Sequence, residues 1–375
     1  MIDSTKFAIG TGTVSDPYRS QDGTAGLEAA LQAAGECGGR VTVPTGRHDM
    51  SSTAHIDNGS VWLDGEVWNY SSDPNGVFEA KNGTKLRLIG RSHPALSVGI
   101  TKDIGGVVIS NLGIQGDIFG MDTRELFDAL APQKSAGLYL GGTRIDQCEF
   151  SKMSFCGLSA AICASGNAEI DAAHFYNINT DGCCMGVYFS PRASFYTVFS
   201  RCIIADNPSY GFYANGEGKK IHNLEVADCC LVRNCGSNVM DDEAAALYFK
   251  SISHCTVRGC NIDAAGVFWY YSPDATHNDQ RQPSKVSAVG ILIKGDKNRI
   301  MSNIIDHSSA ESIRIEGNNN ILIGNISDGN VIIDGENNTV CSHVFTKPEA
   351  RLILRGAAAH TTTVTGVPED RVIRE

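Results

Sequence analysis

The chain has 375 residues, a formal net charge of −11 and 42% hydrophobic residues. The negative charge argues against a nucleic acid partner, and it would repel a strongly anionic polysaccharide unless a basic patch or a bound cation intervened. Residues 1–6 (MIDSTK) have no apolar signal-peptide core, and no stretch of the sequence is apolar enough to cross a membrane. We therefore expect a cytoplasmic protein, or a secreted one if a signal peptide has been removed.

The thirteen cysteines are an odd number, and none of them forms a zinc-binding pattern with histidine. Most of them occupy positions that would face inward on strands. We expect reduced thiols, no metal and no other cofactor.

A short motif repeats along residues 137–354. Each copy has a small or polar residue followed by an apolar, a variable and an apolar residue, at 137–140 (GLYL), 157–160 (GLSA), 186–189 (GVYF), 211–214 (GFYA), 246–249 (ALYF), 290–293 (GILI), 312–315 (SIRI), 330–333 (NVII) and 351–354 (RLIL). Period-2 alternation places both apolar residues inside and the variable one outside. Self-similarity every 20 to 40 residues or so is typical of a solenoid. The sequence therefore predicts an all-β fold, a single-stranded right-handed parallel β-helix.

A second strand-like pattern lies between the copies of this motif. It ends on an apolar marker residue, namely Phe150, Phe175, Ile204, Leu231, Ile262, Ile305, Ile326 and Val344. Two residues before these markers the chain has Cys148, Ala173, Cys202, Cys229, Cys260, Asn303, Gly324 and Ser342. Residues two apart on a strand share a face, so we expect the cysteines to be stacked inside as small buried apolar residues.

These patterns divide one domain into an N-terminal segment (1–45), a β-helix (46–356) and a C-terminal tail (357–375). Residues 24–34 (TAGLEAALQAA) have helical spacing with Thr24 as N-cap, so they predict a short helix that caps the first coil. A strand follows at 40–44 (RVTVP).

Three insertions, near 115–136, 236–245 and 266–288, interrupt the same turn in different coils. Residues 123–130 of the first insertion predict a short helix. Long loops at one corner of a β-helix are a natural place to hold a ligand.

The segments 27–39 (LEAALQAAGECGG) and 40–50 (RVTVPTGRHDM) resemble the entry to the coils in the pectate-lyase-like superfamily. The resemblance covers most of the chain in architecture and implies a parallel β-helix. It is not specific for an activity.

The outward position of the repeated motif carries a column of tyrosines. The column reads Tyr139, Ser159, Tyr188, Tyr213, Tyr248, Leu292, Arg314, Ile332 and Ile353. A tyrosine ladder can simply stabilise a sheet, but it is also an amphipathic surface for sugar rings, so Tyr188, Tyr213 and Tyr248 are candidate substrate-binding residues. The later members form an apolar stripe typical of a subunit contact, and we expect a homotrimer.

Three aspartates precede these tyrosines by seven residues, namely Asp181, Asp206 and Asp241. Coils lie about 4.8 Å apart, so Asp181 and Asp206 would be about 5 Å apart, within the range of glycosidase carboxylate pairs. Stacked carboxylates push their pKa values apart, which supplies an acid and a base or nucleophile. Aspartate is also a common turn residue. The first catalytic candidates are Asp206 and Asp241, and the substitutes are Asp181, Asp228, Asp242 and Glu243.

The third insertion is rich in aromatic and polar side chains. Its segment 268–271 (FWYY) precedes Asp274, His277, Asp279 and Arg281. Trp269 and Tyr270 would stack on sugar rings, with His277 and Arg192 as polar partners. A hydrophobic plug or a subunit contact is the alternative.

The aromatic loop 268–280 (FWYYSPDATHNDQ) and the segments 289–306 (VGILIKGDKNRIMSNIID) and 315–327 (IEGNNNILIGNIS) are similar to the inulin fructotransferase and difructose-anhydride hydrolase family. This resemblance implies a trimeric β-helix, an active site near a subunit interface, and an Asp and a Glu on successive coils. Aligned through the aromatic loop, the family's Glu falls at Ser159 and its Asp near Cys148 or Glu149, and neither residue matches. A shift by one coil places the pair at Asp228 and 241–243 (DDE).

We therefore expect a carbohydrate-active enzyme, a glycoside hydrolase or an intramolecular glycosyltransferase that uses a carboxylate pair. Its first expected substrate is a short fructan-derived or other oligosaccharide. One alternative is a uronate lyase or C5-epimerase with His174, Tyr176 or Arg192 near the base. Another is a non-catalytic trimeric fibre or glycan-binding module.

Overall fold

A computed structural model describes residues 23–68, 83–116, 127–128, 131–235, 243–269, 281–283 and 286–375. Two α-helices, Gly23–Cys37 and Ala358–Thr361, and a 3-10 helix, Glu369–Arg371, occur in this part of the chain. The N-terminal helix packs on the first strands and buries Leu27 and Leu31, as expected of a cap. None of these helices is long and apolar enough to cross a membrane.

The repeated motif builds a sheet of twelve parallel strands, here called sheet A. Its strands are Ala54–Ile56, Leu96–Val98, Ala136–Gly141, Ala160–Ser165, Met185–Phe189, Phe212–Asn215, Ala244–Lys250, Ala288–Lys294, Ile313–Glu316, Val331–Asp334, Leu352–Arg355 and Val372–Arg374. The expected facing is confirmed, because Leu138 and Leu140 are fully buried while Tyr139 between them is half-buried.

One copy of the motif was assigned to the wrong residues. Residues 157–159 precede the strand, which begins at Ala160, and Cys163, not Ser159, lies between Tyr139 and Tyr188. The reason is a corner at Gly157, whose φ of 62° takes the chain out of the extended conformation.

Sheet B is short and contains five parallel strands. They are Ile104–Gly105, Arg144–Asp146, Glu169–Asp171, Ala193–Phe195 and Lys220–His222. A separate antiparallel pair, Val267–Trp269 with Arg281–Pro283, lies within the third insertion.

Sheet C has twenty parallel strands in two columns, here called C1 and C2. The C1 strands are Gly39–Val43, Val61–Gly65, Val198–Ser200, Glu225–Ala227, Thr256–Arg258, Arg299–Met301, Ile321–Ile323, Thr339–Cys341 and Thr363–Thr365. The C2 strands are Gly46–Met50, Thr84–Leu88, Ile203–Ala205, Cys230–Val232, Asn261–Asp263, Ile304–Asp306, Ile326–Ser327 and Val344–Phe345. Three long strands belong to both columns, namely Val108–Gln115, Glu149–Cys156 and His174–Asp181. Each complete coil thus runs through A, C1 and C2, and the fold is a right-handed parallel β-helix, as predicted.

Single residues with a left-handed backbone turn the chain at the corners of the coil. Between C1 and C2 these are Asn111, Lys152, Asn177, Arg201, Asp228, Gly259, Ser302, Gly324 and Ser342, with φ between 51° and 62°. Asparagine, aspartate and glycine tolerate this conformation best. Asp228 is therefore first of all a corner residue.

The interior is filled by stacked side chains of like kind. Phe150, Phe175 and Phe199 form a continuous stack with ring centroids 4.8 and 4.2 Å apart. In later coils buried asparagines form a hydrogen-bonded ladder. The side chain of Asn303 donates to Asn325 Oδ1 at 3.0 Å and to Val257 O at 3.1 Å. These ladders satisfy polar groups that would otherwise be costly to bury.

The cysteine prediction is confirmed as to burial and corrected as to register. All thirteen cysteines lie in the described part of the chain and are free thiols. Cys202, Cys229 and Cys260 precede partnered residues of C2, whereas Cys148 precedes a C1 position and belongs to the same row as Cys255. The markers had mixed two columns, because each coil contributes two strands with similar apolar patterns.

The sequence predicted a C-terminal tail at 357–375, but these residues are part of the coiled structure. Strand Thr363–Thr365 pairs with Thr339–Cys341, and Val372–Arg374 pairs with Leu352–Arg355. The short helix Ala358–Thr361 connects them to the preceding coil.

Candidate active site

All three insertions leave the coil at the same place, between a C2 strand and the next strand of sheet A. The first lies between Gln115 and Ala136, the second between Val232 and Ala244, and the third between Asp263 and Ala288. In the coils between the first and second insertions this connection is short; for example, Asp181 ends one strand and Met185 begins the next. We call this side of the solenoid the insertion edge. The prediction of a shared turn is confirmed, whereas the helix predicted at 123–130 falls largely outside the described residues.

The predicted tyrosine column exists. Tyr188, Tyr213 and Tyr248 are partnered residues in neighbouring strands of sheet A. The first two rings stack at 5.8 Å, and the Tyr213 and Tyr248 rings meet edge to face at 5.4 Å. Phe127 of the first insertion packs on Tyr188 at 5.5 Å.

The tyrosines are not the exposed surface that the sequence predicted. Tyr188 is 7% exposed, Tyr213 2% and Tyr248 0%. Their side chains lie on the outer face of the sheet, where other residues cover them. In the present conformation they therefore cannot stack on a sugar, and a substrate-binding role stays a prediction.

The apolar stripe expected further along the same column is also largely covered. Leu292 and Ile332 are buried. At the end of the column Ile353 is half-buried, and its partner Ile373 is 39% exposed. Further exposed apolar side chains occur on the outer face of sheet C, where Ile304, Ile323 and Val344 are 42%, 41% and 53% exposed.

Asp181 and Asp206 do not occupy equivalent positions in neighbouring coils. Asp181 is partnered with Ala205, and Asp206 is the corner residue that follows. Equal spacing from a tyrosine failed as a guide because the connections differ in length: Asp181 and Met185 bound one, Ala205 and Phe212 the next.

Asp206 is engaged in an ion pair. Its carboxylate, only 2% exposed, accepts Arg233 Nε at 2.7 Å and Nη2 at 2.5 Å from the next coil. Burial raises the pKa of Asp206 in spite of the arginine. This geometry supports a structural role, and a catalytic role stays a prediction.

Asp181 is buried on the outer face of C2, where it is partnered with Cys156. Burial first, and then the Cys183 thiol, raises the pKa of the Cys156 thiol. Two residues before Asp181 is Asn179, whose side-chain Oδ1 is buried and accepts no hydrogen bond.

Two other predicted residues lie away from the insertion edge. Asp228 is at the corner between C1 and C2, 52% exposed and 3.8 Å from Arg258. Arg192 is beside sheet B and pairs with Glu169 at 3.1 Å. It lines an open cavity of about 510 Å³ that Arg144 also borders.

Glu243 is the predicted carboxylate that the structure places beside the tyrosines. Its backbone carbonyl accepts a hydrogen bond from Tyr210 Oη at 2.9 Å, and its carboxylate accepts one from Tyr248 Oη at 3.4 Å. The same carboxylate contacts Lys294 and lies 3.5 Å from Arg314 Nη1.

Two further glutamates complete this half-buried glutamate cluster on sheet A. Glu311 lies 2.7 Å from Arg314, and Glu316 lies 3.0 Å from Lys294. Burial acts to lower the pKa of Lys294, but hydrogen bonds to Glu243 and Glu316 outweigh it and raise the pKa. The cluster therefore sets three carboxylates against two cations, Lys294 and Arg314, and each carboxylate contacts at least one of them.

A column of aspartates that sequence reasoning missed lies on C2 at the insertion edge. Asp263 and Asp306 are partnered residues, and Asp328 follows the residue partnered with Ile305. We call these three the aspartate column. The signal was present in the sequence, because Asp263 and Asp306 each follow a marker isoleucine. The predicted carboxylates were instead those at a fixed spacing from the tyrosine column.

The environments of two members of the column differ. Burial, then the carboxylates of Asp328 and, less strongly, Asp263, raise the pKa of Asp306. Burial also acts to raise the pKa of Asp328. The Lys347 ammonium at 2.7 Å and the backbone N–H of His307 at 3.0 Å outweigh burial, so the pKa of Asp328 is lowered. One carboxyl group is thus suited to hold a proton and its neighbour to stay ionised.

The base of the third insertion is attached next to this column. Ser309 Oγ donates to Val286 O at 3.1 Å and accepts from Ala288 N at 2.8 Å. Ser309 is two residues after His307, whose ring nitrogen Nδ1 is 3.0 Å from Asp263. The aromatic insertion therefore begins and ends beside the aspartate column.

Several predicted residues cannot be placed. Asp241, Asp242, Tyr270 and His277 lie outside the described residues, and of Trp269 only the strand is described. Within the described ranges no group of three or more histidine, cysteine, aspartate or glutamate side chains is arranged to hold a metal ion. The expectation that no cofactor is used stays a prediction.

The stacked sheets, corner residues and internal ladders define a right-handed parallel β-helix protein, one with insertions gathered on one edge. The chain is similar over 94% of its length to DFA-IIIase from Arthrobacter chlorophenolicus A6 in complex with GF2, with a TM-score of 0.67, 15% identity and 93% coverage of that chain. The same enzyme without its lid gives a TM-score of 0.68 at 15% identity, with the same coverage of both chains.

A second similar protein is the A-module of the mannuronan C-5 epimerase AlgE4 from Azotobacter vinelandii. It gives a TM-score of 0.56 at 13% identity, covering 97% of this chain and 99% of that chain. No protein-family model and no curated protein matches the sequence. At these identities the likeness shows the fold, and the chemistry has to be argued from the site.

Proposed function

We propose that this protein is a carbohydrate-active enzyme that cleaves or transfers a glycosidic bond at the aspartate column. Asp306 is the general acid, and Asp328 is the nucleophile or general base. The observation that carries the proposal is the position of Asp306 and Asp328 on neighbouring coils of C2 at the insertion edge, where Lys347 contacts Asp328 alone. The pKa of Asp306 is raised there and that of Asp328 is lowered.

The chemistry follows from this placement. Protonated Asp306 gives its proton to the glycosidic oxygen as the bond to the anomeric carbon breaks. Ionised Asp328 either attacks that carbon or takes a proton from an attacking water. Neighbouring strands lie about 4.8 Å apart, close to the roughly 5 Å of a retaining carboxylate pair, so the first expectation is a covalent intermediate on Asp328.

The substrate proposal is a short fructan-derived or other oligosaccharide. The similar DFA-IIIase structures hold GF2 or DFA-III, and the aromatic third insertion begins and ends beside Asp263 and Ser309. The predicted homotrimer would use the exposed apolar side chains of sheet C, together with Ile373 at the end of sheet A. The trimer and the cytoplasmic location stay predictions.

A uronate lyase or C5-epimerase is the second candidate. It is supported by the similarity to the mannuronan epimerase module and by the cavity that Arg144 and Arg192 border. An unsaturated product absorbing in the ultraviolet, or a change in the uronate composition of a polymer, would distinguish it from glycosidic cleavage.

The test is incubation with fructo-oligosaccharides, difructose anhydride, gluco-oligosaccharides and oligouronates, followed by chromatography of the products. We expect products from a neutral oligosaccharide, and we expect Asp306→Asn and Asp328→Asn each to lower kcat about 10²- to 10⁴-fold. Asp334→Asn, an exposed aspartate of sheet A, is the matched control and should retain full turnover.

Two outcomes would overturn the assignment. If both aspartate variants keep turnover while Glu243→Gln loses it, the glutamate cluster is the catalytic site. If no saccharide of the panel is converted, the proposal of an enzyme acting on these substrates fails.

A further inference from the structure

An exposed tryptophan lies on the outer face of C1, away from the insertion edge. Trp62 is 43% exposed. The Arg40 guanidinium lies 4.5 Å from its ring centroid, and its Nε1–H donates to Ser110 Oγ at 3.0 Å. Ser110 in turn donates to Asp64 Oδ1 at 2.6 Å. The indole is thus held in one orientation on the surface, with part of its apolar ring accessible.

A second aromatic ring is held in a similar way on the same face. Tyr176 is half-buried, its hydroxyl accepts Arg201 Nη1 at 3.0 Å, and the guanidinium lies 5.6 Å from the ring centroid. Both rings therefore have an arginine partner that fixes them before any ligand arrives, which reduces the entropy lost on binding.

The two rings are three coils apart, in neighbouring rows of the sheet. One row contains Trp62, Val108, Glu149 and His174, and the other contains Asp64, Ser110, Ser151 and Tyr176. At a strand spacing of about 4.8 Å, the rings are separated by about 14 Å along the solenoid axis.

Small hydroxyl residues form the floor between the rings, with polar side chains beside them. Ser110 and Ser151 are short and buried, whereas Glu149 and His174 are exposed. The charge of Arg40 is compensated by its contact with Asp64. The face offers two aromatic platforms, hydroxyls, one exposed carboxylate, one imidazole and the Arg201 guanidinium. Among these described residues there is no continuous apolar patch of the kind a protein partner would cover.

We propose that this face of sheet C is a second binding site, which takes a neutral oligosaccharide chain running along the solenoid axis. Sugar rings stack on Trp62 and Tyr176, and their hydroxyls bond to Glu149 and His174. The site is separate from the aspartate column and would hold a chain near the protein without cleaving it.

The experiment is calorimetric titration of the full-length protein with inulin-type fructo-oligosaccharides, cello-oligosaccharides and oligogalacturonates. We expect one neutral series to bind. We expect Trp62→Ala and Tyr176→Ala each to weaken that binding about tenfold or more, while Trp62→Phe retains most of it. Tyr196→Ala is the matched control, because Tyr196 is 64% exposed but lies at a corner outside the two rows.

Thermal unfolding of each variant shows whether a loss of binding is a loss of folding, and Tyr176→Ala keeps the test valid if Trp62→Ala unfolds. The proposal is overturned if no neutral series binds, or if Trp62→Ala and Tyr176→Ala bind as tightly as the unchanged protein. Turnover on the same saccharides is measured separately, so failure of this site and failure of the proposed active site are distinguishable.

Discussion

Asp263 and Asp306 are partnered residues in neighbouring C2 strands, so two carboxylates share one face at adjacent levels of the solenoid. Asp328 adds a third on the next level. Burial and then these like charges raise the pKa of Asp306. Whether Asp306 can act as an acid therefore depends on side chains from three different coils.

The pH dependence of the proposed reaction follows from this arrangement. Activity requires ionised Asp328, whose pKa is lowered, and protonated Asp306, whose pKa is raised. Turnover should rise as the pH passes the lowered pKa and fall as it passes the raised one, so we expect an acidic optimum. Initial rates between acidic and neutral pH test this, and a flat profile would contradict it.

Replacing Asp263 should move one limb of that profile. Asp263→Asn removes a negative charge beside Asp306, so the pKa of Asp306 falls and its proton is lost at lower pH. The alkaline limb should shift to lower pH while the acidic limb stays in place. Asp334→Asn should leave both limbs unchanged, and an unshifted alkaline limb in Asp263→Asn would exclude Asp306 as the acid.

Replacing Asp206 should affect stability rather than chemistry. Asp206→Asn removes the ion pair with Arg233, which is itself 35% exposed and partly screened by solvent. We expect a loss of about 1–3 kcal/mol in the free energy of unfolding, with turnover per folded molecule retained. Denaturant unfolding combined with rate measurements decides this, and a stable but inactive variant would restore Asp206 as a catalytic candidate.

The asparagine ladder should be an important source of stability in the later coils. Asn303→Ala removes hydrogen bonds to Val257 O and Asn325 Oδ1 and leaves the Cys260 N–H without its acceptor. We expect a cost of about 2–4 kcal/mol. Asn261→Ala, at an exposed position of the same sheet, should change the free energy of unfolding by no more than about 0.5 kcal/mol. Equal effects of the two variants would contradict the prediction.

Truncating a side chain of the phenylalanine stack should lower the free energy of unfolding strongly, because it leaves a cavity in the core. Phe199 is fully buried, lies 4.2 Å from Phe175, and meets Phe212 edge to face at 4.9 Å. Phe199→Ala should cost about 3–5 kcal/mol, and Phe199→Leu clearly less. Chemical denaturation of both variants measures the difference, and a loss below about 1 kcal/mol for the alanine variant would show that the stack collapses without penalty.

Much of the architecture could be read from the chain because it depends on local patterns. The alternation at Leu138, Tyr139 and Leu140 determines which side chains enter the core, whatever the neighbouring coil contains. The lengths between strands marked the insertion edge. The burial of Tyr213 and Tyr248 could not be read from the sequence, because it depends on contacts from other parts of the chain.

The candidate site could not be predicted from the sequence, for a related reason. Counting seven residues back from Tyr188 and Tyr213 led to Asp181 and Asp206, but hydrogen bonding across the sheet places Ala205 opposite Asp181. Asp306 and Asp328 looked like ordinary residues of compact late coils. Their chemical difference comes from Lys347 and His307 on one side and from stacked carboxylates on the other.

The amino-acid sequence alone thus determined the solenoid, its inward faces, its capping helix and the edge that carries the insertions, since period-2 alternation and turn residues act over a few positions. Only the tertiary structure decided which residues of different coils meet. Coils of unequal length are aligned by backbone hydrogen bonds between strands, and a pKa is set by whichever charges that alignment brings within a few ångströms.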